Sequence, residues 1–314
     1  MKALLLDDTH PLLEQDLQAG GLNLVREYSA PLEELAAHHS DAEVVIIRSR
    51  MRVDAHFLSQ FPSLKVIGRL GAGLENIDLV EAEKCGISCQ RVPEGNARAV
   101  AEHALGMLLS LLNHLPRVHR EIKEGKWLRE PNKGRELQSL TVGVIGYGVM
   151  GSEFAQLLGA MGVKVLAYDK YKQNYTPEGI REVSFEELQA EADVVSLHLP
   201  LTEETRSLAD TQFFNGFAKP IHFINTARGP ILKTVDLLAA MDQGKVLSAG
   251  LDVLEYEKSS FTSLFEDELP PTLQRLLERE NVLLSPHIAG WTKESFEKMG
   301  RGLAAKVLEA LKTS

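Results

Sequence analysis

The sequence predicts an α/β protein with two domains, each a doubly wound parallel sheet covered by helices on both faces. Short apolar strands alternate with amphipathic helical segments along nearly the whole chain, as they do in βαβ units. The 314 residues suffice for two domains, and a hydrophobic content of 44% suffices for two cores. Polar residues stand where successive strands end, which is where open parallel sheets bind their ligands.

The first hundred residues are predicted to form one βα domain. Strands are expected at 3–6, 22–26, 44–47, 65–67 and 87–89, with helices at 11–19, 31–38 and 78–84. Two loops follow strands of this set, Arg48-Ser49-Arg50 and Gly71-Ala72-Gly73. The glycine loop is predicted to be either a nest of backbone N–H groups for an anion or an ordinary turn.

The stretch from Thr141 to Asp169 carries the most specific motif. An apolar strand runs into Gly146-Tyr147-Gly148-Val149-Met150-Gly151, followed by a helical pattern and a second strand that ends at Asp169. The first glycine allows a tight turn, the second lets the backbone approach a pyrophosphate, and the third lets the helix pack closely. The pattern predicts a Rossmann-type NAD site with the phosphates at the helix N-terminus. NAD is preferred over NADP because Asp169 would bind ribose hydroxyls and repel a 2′-phosphate.

A helical segment from Asn96 to Lys123 is predicted to bridge the two domains. Asn96 is expected to cap its start, and Pro116 is expected to kink or break it. Its apolar face is expected to hold Val100, Ala104, Met107, Leu108, Leu111 and Leu115. In the polar stretch that follows, Trp127 packs either against another subunit or in a local core.

Beyond Asp169 the alternation of strand and helix resumes. Strands are expected at 193–198, 222–225, 246–251 and 282–284, and a final helix at 292–312 is expected to pack back on the first domain. Each strand ends at polar residues, which are expected to converge on one cleft. These residues are His198 with Thr205, the run from Asn225 to Gly229, Asp252, and the run from Ser285 to Gly290.

Composition argues against several functional classes. The formal net charge is −10, whereas a nucleic-acid or membrane-surface partner would favour a basic face. Cys85 and Cys89 have no further cysteine to complete a thiolate metal site, so they are predicted to be small buried thiols and no metal is expected. Asp7 and Asp8 end the apolar start before a signal sequence could form, which predicts a cytoplasmic protein.

Taken together, these motifs resemble the D-2-hydroxyacid dehydrogenases over nearly the whole chain. The motifs, in one order, are Arg48-Ser49-Arg50, Gly71-Ala72-Gly73 with Asn76-Ile77-Asp78, the glycine-rich turn with Asp169, the run from His198 to Thr202, Asn225 to Gly229, Gly250 to Val253, and Pro286-His287. The resemblance implies a flavodoxin-like substrate-binding domain at 1–97, completed by 286–314. The NAD-binding Rossmann domain is then inserted at 98–285. A homodimer is also implied.

The resemblance also implies which side chains bind the cofactor. Besides the glycine-rich turn and Asp169, they are His198, Pro200, Thr205, Thr226, Ala227, Arg228, Asp252, His287 and Gly290. Asp252 would hold the nicotinamide carboxamide.

Three residues are predicted to carry out the oxidation of a 2-hydroxy acid. His287 is the expected base, and the acid in the reverse direction, because imidazole titrates near neutral pH. Arg228 can clamp the carboxylate and polarise the carbonyl that forms. The family places a glutamate five residues after the aspartate, which favours Glu257 over Glu255 as the group that orients His287. The proline that usually follows is Lys258 here, and the next residues are expected to form a divergent loop.

The substrate is predicted from the loop Arg48-Ser49-Arg50. If the strand continued through the loop, both arginine side chains would lie on one side and suit a phosphate dianion. Alternatively, Arg48 is structural and Arg50 merely exposed. The loop resembles the Arg-Ser-Arg run of D-3-phosphoglycerate dehydrogenases, and Trp127-Leu128-Arg129 resembles the segment by which they bring a cation from the partner subunit. Arg228 and the backbone from Gly71 to Gly73 are expected to hold the substrate carboxylate.

The predicted reaction is therefore NAD-dependent oxidation of D-3-phosphoglycerate, the first step of serine synthesis. Glyoxylate or hydroxypyruvate reduction is the main alternative, followed by a D-lactate-type activity. Formate dehydrogenase is disfavoured because that family has glutamine where Pro286 precedes the histidine. A different class is an NAD-sensing corepressor that uses the fold for binding. It would be expected to carry partner-binding extensions beyond the last helix.

Overall fold

The computed structural model of the chain describes residues 1–257 and 268–313. Its strands are β1 (Lys2–Leu5), β2 (Asn23–Arg26), β3 (Val44–Ile47), β4 (Val66–Arg69), β5 (Ser88–Arg91), β6 (Thr141–Ile145), β7 (Lys164–Tyr168), β8 (Ile180–Glu182), β9 (Val194–Leu197), β10 (Ile221–Asn225), β11 (Val246–Leu251) and β12 (Val282–Leu284). Its helices are α1 (Pro11–Ala19), α2 (Leu32–His39), α3 (Ala55–Ser59), α4 (Leu79–Lys84), α5 (Pro93–Leu112), α6 (Leu115–Lys123), α7 (Val149–Ala160), α8 (Phe185–Glu191), α9 (Thr211–Asn215), α10 (Thr234–Asp242), α11 (Pro271–Leu277) and α12 (Lys293–Thr313). Lys258 and most of the divergent loop predicted after it lie outside the described residues.

The chain divides into two compact units. One unit is Met1–Asn96 together with the segment from Trp291 onward, and the other is Ala97–Gly290. Each unit holds one parallel sheet, so the predicted α/β class with two parallel-sheet domains is confirmed.

The first unit has the strand order β2-β1-β3-β4-β5, which is the flavodoxin-like order. Its strands are almost entirely apolar where they are buried, as expected for a sheet covered on both faces. One face packs on α12 and α1, where Leu303 and Val307 join the same core as Leu13 and Leu17. The predicted packing of the final helix on the first domain is therefore confirmed.

The second unit has the strand order β12-β11-β10-β9-β6-β7-β8, and the order reverses between β6 and β9. Ligands bind at such a reversal, outside the carboxyl ends of the strands. The pairing register sets five strand ends side by side: Ile145, Leu197, Asn225, Leu251 and Leu284. The polar residues that follow these strands therefore lie along one edge of the sheet.

The helical segment predicted from Asn96 to Lys123 is divided into α5 and α6, so the break expected near Pro116 is confirmed, whereas the cap expected at Asn96 is wrong. Proline suits the first helical position, where no N–H donor is needed, so α5 begins at Pro93 and Asn96 lies inside it instead of capping it. The chain breaks at His114, whose φ is +54°, and Pro116 then lies in the first turn of α6. Leu115 therefore leaves the apolar face of α5 and is exposed, contrary to the prediction.

Apolar side chains remain exposed on α6 and on the segment after it. None of the residues of α6 is buried. Leu115, Ile122 and Leu128 are exposed, and Trp127 is 80% exposed. The predicted alternative that Trp127 belongs to a local core is therefore wrong.

The two cysteines differ in their surroundings. Cys85 is exposed, so its prediction as a buried thiol is wrong. Cys89 lies at the edge strand β5 and is half-buried, and burial raises the pKa of its thiol to about 11. Within the described part of the chain, no helix combines the length and the apolar character needed to cross a membrane.

Candidate active site

The glycine-rich turn between β6 and α7 has the geometry that a dinucleotide needs. Gly146 has a φ of +92°, and a Cβ there would lie 2.5 Å from the carbonyl oxygen of His198. A Cβ at Gly151 would lie 2.0 Å from the carbonyl oxygen of Gly146, whereas a Cβ at Gly148 would meet nothing within 4 Å. The outer glycines are thus required by the protein's own packing, and the middle one leaves space at the start of α7. This turn fits a pyrophosphate bound at the helix N-terminus.

The residues between these glycines differ in burial. Tyr147 is buried, Met150 is half-buried, and Val149 is exposed. The Tyr147 ring stacks at a tilt on Tyr175, with 4.9 Å between the ring centroids. The buried side chain of Tyr147 therefore supports the glycine-rich turn by packing on Tyr175.

Asp169 follows β7 and lies beside the glycine-rich turn. Its carboxylate accepts the N–H of Tyr147 at 2.9 Å and the N–H of Tyr171 at 3.0 Å. Lys172 donates to the carbonyl oxygen of Tyr147 at 2.6 Å, so one cation also lies near this turn. The half-buried Asp169 carboxylate is thus fixed by backbone donors at the position predicted for ribose recognition.

His198 follows β9 and packs behind the glycine-rich turn. Its Nε2 lies 2.9 Å from the hydroxyl of Ser196, and its ring centroid lies 5.3 Å from that of Phe154. Burial lowers the pKa of His198 to about 4, so the ring is neutral at pH 7. In the loop that follows, the hydroxyl of Thr205 donates to the carbonyl of Pro200 at 2.6 Å. The side chains predicted here thus shape the loop beside the turn.

Arg228 lies in a turn after β10 that Asn225 holds in place. The Oδ1 atom of Asn225 accepts the N–H of Ala227 at 3.0 Å, and its Nδ2 donates to the carbonyl of Arg228 at 3.1 Å. The Arg228 guanidinium donates to the carbonyl of Ala227 at 2.7 Å. The buried side chain of Asn225 therefore fixes the backbone at Arg228 through both its oxygen and its nitrogen.

Two further features of the same turn bear on the site. A Cβ at Gly229 would lie 1.9 Å from the carbonyl oxygen of Leu254, so the turn packs directly on the segment that follows Asp252. The hydroxyl of Thr226 is buried and has no hydrogen-bond partner among the described residues. A buried hydroxyl in this state is a candidate contact for a bound molecule.

His287 and Glu257 form a hydrogen-bonded pair. Nδ1 of His287 lies 2.7 Å from Oε2 of Glu257, and Oε1 accepts the N–H of Leu254 at 2.6 Å. Glu255 instead accepts the N–H of Thr234 at the start of α10, at 2.5 Å. The structure thus brings His287 together with the glutamate that the sequence favoured and places the competing glutamate elsewhere.

Asp252 is only 1% exposed and holds the turn that carries His287. Its Oδ1 accepts the hydroxyl of Ser285 at 2.6 Å and the N–H of Ile288 at 2.9 Å, and its Oδ2 accepts the N–H of Ala289 at 2.8 Å. The resemblance assigns this carboxylate to the nicotinamide carboxamide, yet both of its oxygens are engaged by the chain's own donors. Gly290, which ends the turn, is half-buried.

His103 of α5 belongs to the same network, although the sequence did not single it out. Its Nε2 lies 2.9 Å from the hydroxyl of Ser285 and 3.5 Å from Oδ1 of Asp252. His103 stands four residues before Met107 and so shares the helix face that packs on the sheet. A histidine on an apolar stripe is the signal by which it could have been found.

In the other unit, Asp7 holds the loop Arg48-Ser49-Arg50. One oxygen of its carboxylate accepts the N–H groups of all three residues, at 2.6, 3.1 and 3.3 Å. β3 ends at Ile47, so the strand does not continue through the loop. The condition under which both arginine side chains would lie on one side therefore fails.

The two arginines have different partners. The guanidinium of Arg50 donates to the carbonyls of Glu27 and Ala30, so it links the loop after β3 to the segment after β2. The guanidinium of Arg48 lies 4.9 Å from the centroid of the Trp291 ring, a cation–π distance. The guanidinium groups of Arg48 and Arg50 therefore do not form the predicted pair of cations for one phosphate. The alternative prediction, that Arg50 is merely exposed, is also wrong.

The loop Gly71-Ala72-Gly73 is held by arginines from neighbouring strand ends. The N–H of Gly71 donates to the carbonyl of Arg69 at 3.0 Å, and Arg91 donates to the carbonyl of Ala72 at 2.9 Å. Arg69 also donates through Nε to the carbonyl of Arg48 at 3.1 Å. For Gly71 the ordinary turn, rather than the anion nest, describes the geometry.

Comparison with known proteins identifies the family. The family described as "D-isomer specific 2-hydroxyacid dehydrogenase, NAD binding domain" matches residues 105–289. The D-3-phosphoglycerate dehydrogenase of Rattus norvegicus is 33% identical over 316 residues, which cover 99% of this chain but 56% of that protein. The chain thus spans about half the length of that relative. The hydroxypyruvate reductase of Thermotoga maritima is 36% identical over 282 residues, which cover 89% of this chain and 88% of that protein.

A solved structure shows the same fold along the whole chain. The D-lactate dehydrogenase from Aquifex aeolicus, in complex with NAD and lactic acid, has a TM-score of 0.84 and 30% sequence identity, and the match covers 100% of this chain and 96% of that one. The NAD-binding domain predicted from the glycine-rich turn is confirmed by the family match. The chain therefore belongs to the D-isomer specific 2-hydroxyacid dehydrogenase family.

Proposed function

We propose that the chain is an NAD-dependent dehydrogenase that interconverts D-2-hydroxy acids and 2-keto acids. The observation that carries this proposal is the 2.7 Å hydrogen bond between His287 and Glu257, an imidazole oriented by a carboxylate. The turns that carry Arg228 and His287 follow strands of the same sheet as the glycine-rich turn. Groups for binding and for chemistry therefore share one sheet edge.

The chemistry follows from the roles of three side chains. NAD, when bound, takes up the hydride in oxidation and returns it in reduction. His287 removes the hydroxyl proton through Nε2, because Glu257 keeps the other ring proton on Nδ1. In the reduction, His287 is an imidazolium that protonates the carbonyl oxygen, and Glu257 stabilises its charge. Arg228 binds the carboxylate and polarises the carbonyl.

We propose different roles for the two units. The unit from Ala97 to Gly290 would bind NAD through the glycine-rich turn, Asp169, and the buried hydroxyl of Thr226. The unit formed by Met1–Asn96 and the last helix is the proposed substrate-binding domain.

The substrate proposed first is D-3-phosphoglycerate, measured in practice as reduction of 3-phosphohydroxypyruvate. Its support is the likeness to D-3-phosphoglycerate dehydrogenases along 99% of this chain. The Arg48 guanidinium, held against Trp291, would supply a cation for the phosphate. This activity would place the enzyme at the first step of serine synthesis.

Reduction of hydroxypyruvate or glyoxylate is the second candidate, and two observations favour it. The hydroxypyruvate reductase of Thermotoga maritima is matched along 88% of its own length. Arg50, the second cation of the predicted phosphate pair, donates to backbone carbonyls instead. With Arg50 engaged, one cation of the predicted pair is left for a phosphate dianion, whereas the hydroxymethyl group of hydroxypyruvate is neutral and needs no cation.

We also propose that the protein is a cytoplasmic homodimer. The apolar residues exposed on and after α6, with Trp127 80% exposed, form a surface that a second copy could cover. Covering such a patch removes apolar area from water and favours association.

A panel of 2-keto acids separates these candidates. The loss of NADH absorbance would be followed with 3-phosphohydroxypyruvate, hydroxypyruvate, glyoxylate and pyruvate. The first proposal expects the highest kcat/KM for the phosphorylated keto acid. Faster turnover of hydroxypyruvate or glyoxylate would establish the second candidate. NADH binding without turnover of any keto acid would contradict both and favour a corepressor-like NAD-binding role.

A further inference from the structure

We propose that His103 and Ser285 are positioning residues that hold the turn carrying His287, so that a hydrogen-bonded relay runs from α5 to the proposed acid/base residue. The inference rests on the proposed function, because it assigns these residues to the same reaction. The sequence pointed to Ser285 only as the first residue of the run from Ser285 to Gly290, and it did not point to His103.

The donors and acceptors of the relay have one consistent assignment. The Asp252 carboxylate accepts from Ser285, Ile288 and Ala289, so the hydroxyl of Ser285 must donate its only hydrogen to Oδ1. Toward His103, 2.9 Å away, the oxygen of Ser285 is then the acceptor. Nε2 of His103 therefore carries the hydrogen.

The turn needs such support because its backbone is strained. His287 has a φ of +56°, in the left-handed region that non-glycine residues rarely adopt because it strains the backbone. Three groups of Asp252 stabilise this conformation. Its carbonyl accepts the N–H of His287 at 2.8 Å, and its two carboxylate oxygens accept the next two N–H groups along the turn.

The relay fixes the rotation of the Asp252 carboxylate. Ser285 and His103 both approach Oδ1, at 2.6 and 3.5 Å. Without them, the carboxylate keeps only the N–H groups of Ile288 and Ala289 and loses the side-chain contact that restrains its rotation from the other side. The ring of His287 would then shift relative to the substrate, although the residues that bind NAD through the glycine-rich turn would be unchanged.

Four variants test the relay: Ser285→Ala, His103→Leu, His103→Gln and the double variant His103→Leu/Ser285→Ala. We expect kcat with the best keto acid to fall on the order of tenfold to a hundredfold in the first two, because small displacements of a reacting group are costly. The affinity for NADH should change much less. His103→Gln should recover most of kcat, since its amide can still donate to Ser285. The double variant should be no worse than the poorer single variant, because both act on one network.

Amide hydrogen exchange gives a readout that does not depend on activity. Exchange in a peptide spanning 285–290 should be several-fold faster in Ser285→Ala and His103→Leu, and near normal in His103→Gln. His56→Leu, at an exposed histidine of α3, serves as the control and should leave both readouts unchanged.

The two proposals fail in different ways. If the unmodified protein reduces no 2-keto acid, the proposed function fails, whereas the exchange result still decides the relay. Equal damage by His103→Gln and His103→Leu would show that His103 acts by packing alone and would overturn the relay. Unchanged exchange at 285–290 with kcat within about twofold of the unmodified protein would overturn it as well.

Discussion

Nδ1 of His287 lies 2.7 Å from Oε2 of Glu257, and the other oxygen of that carboxylate accepts the N–H of Leu254. The backbone at Leu254 therefore holds one oxygen of Glu257, while the other oxygen holds the imidazole of His287. This arrangement sets the tautomer of the neutral ring and stabilises the ring when it is charged. It is the structural basis for the acid/base role that we propose for His287.

Replacing Glu257 by Gln should lower kcat in both directions. The amide that replaces the carboxylate can present its NH2 group to Nδ1 of His287, so the ring loses the acceptor that fixes its tautomer and orientation, and kcat should fall on the order of a hundredfold or more. The matched control is Glu255→Gln, because Glu255 contacts Thr234 instead. A fall in kcat caused by Glu255→Gln and not by Glu257→Gln would contradict the proposed pair.

Asp169 should make NAD the preferred cofactor. Its carboxylate, fixed by Tyr147 and Tyr171, would repel a 2′-phosphate, and placing like charges together costs several kcal/mol, so we expect a preference in kcat/KM of roughly a hundredfold or more. Asp169→Ser should reduce the preference, with Lys172 close enough to assist NADP. A preference of the unmodified enzyme for NADPH would refute this account of Asp169.

Substitution of Arg48 should affect substrate binding, whereas substitution of Arg50 should affect stability. Arg48→Gln should raise KM for 3-phosphohydroxypyruvate by roughly tenfold, the worth of one charge-assisted contact, and raise KM for hydroxypyruvate less. Arg50→Ala should instead lower stability by roughly 1–3 kcal/mol, because the carbonyls of Glu27 and Ala30 lose their donor. Urea unfolding of both variants and KM values for both keto acids would be measured. If Arg50→Ala selectively raised KM for the phosphorylated acid at unchanged stability, Arg50 would be the phosphate ligand after all.

Trp127 should be needed for dimerisation. Its side chain is 80% exposed in the single chain, and truncation of a large aromatic at the centre of an interface commonly costs 2 kcal/mol or more, roughly a thirtyfold weaker association. Light scattering at micromolar concentration should give twice 34.7 kDa for the unmodified protein and a lower average mass for Trp127→Ala. Val80→Ala, at another exposed apolar residue, is the control. A monomeric unmodified protein would contradict the homodimer.

Local patterns allowed much of the fold and part of the site to be predicted. The roles of the three glycines follow from the order of strand, turn and helix, and the structure gives Gly146 and Gly151 the close packing expected and leaves space at Gly148. The bounds of β3, β11 and β12 were correct because short apolar runs between polar residues define such buried strands. The glutamate beside His287 followed from its spacing to Asp252 within the family.

The parts that could not be predicted depend on contacts distant in sequence. Arg50 binds carbonyls that lie 20 and 23 residues earlier, so nothing around Arg50 indicates that its donors are engaged. His103 meets Ser285 across 182 residues. The left-handed backbone of His114, which ends α5, has no glycine to mark it, and the exposure of Leu115 follows from that one residue.

The most direct test of the central claim is the turnover of His287→Ala with saturating NADH and the best 2-keto acid. The imidazole is proposed to act on the substrate proton, so kcat should fall by a factor on the order of a thousand or more. Fluorescence titration should show that NADH still binds, because the glycine-rich turn and Asp169 are untouched. Retention of most of kcat by His287→Ala would contradict the proposed acid/base role.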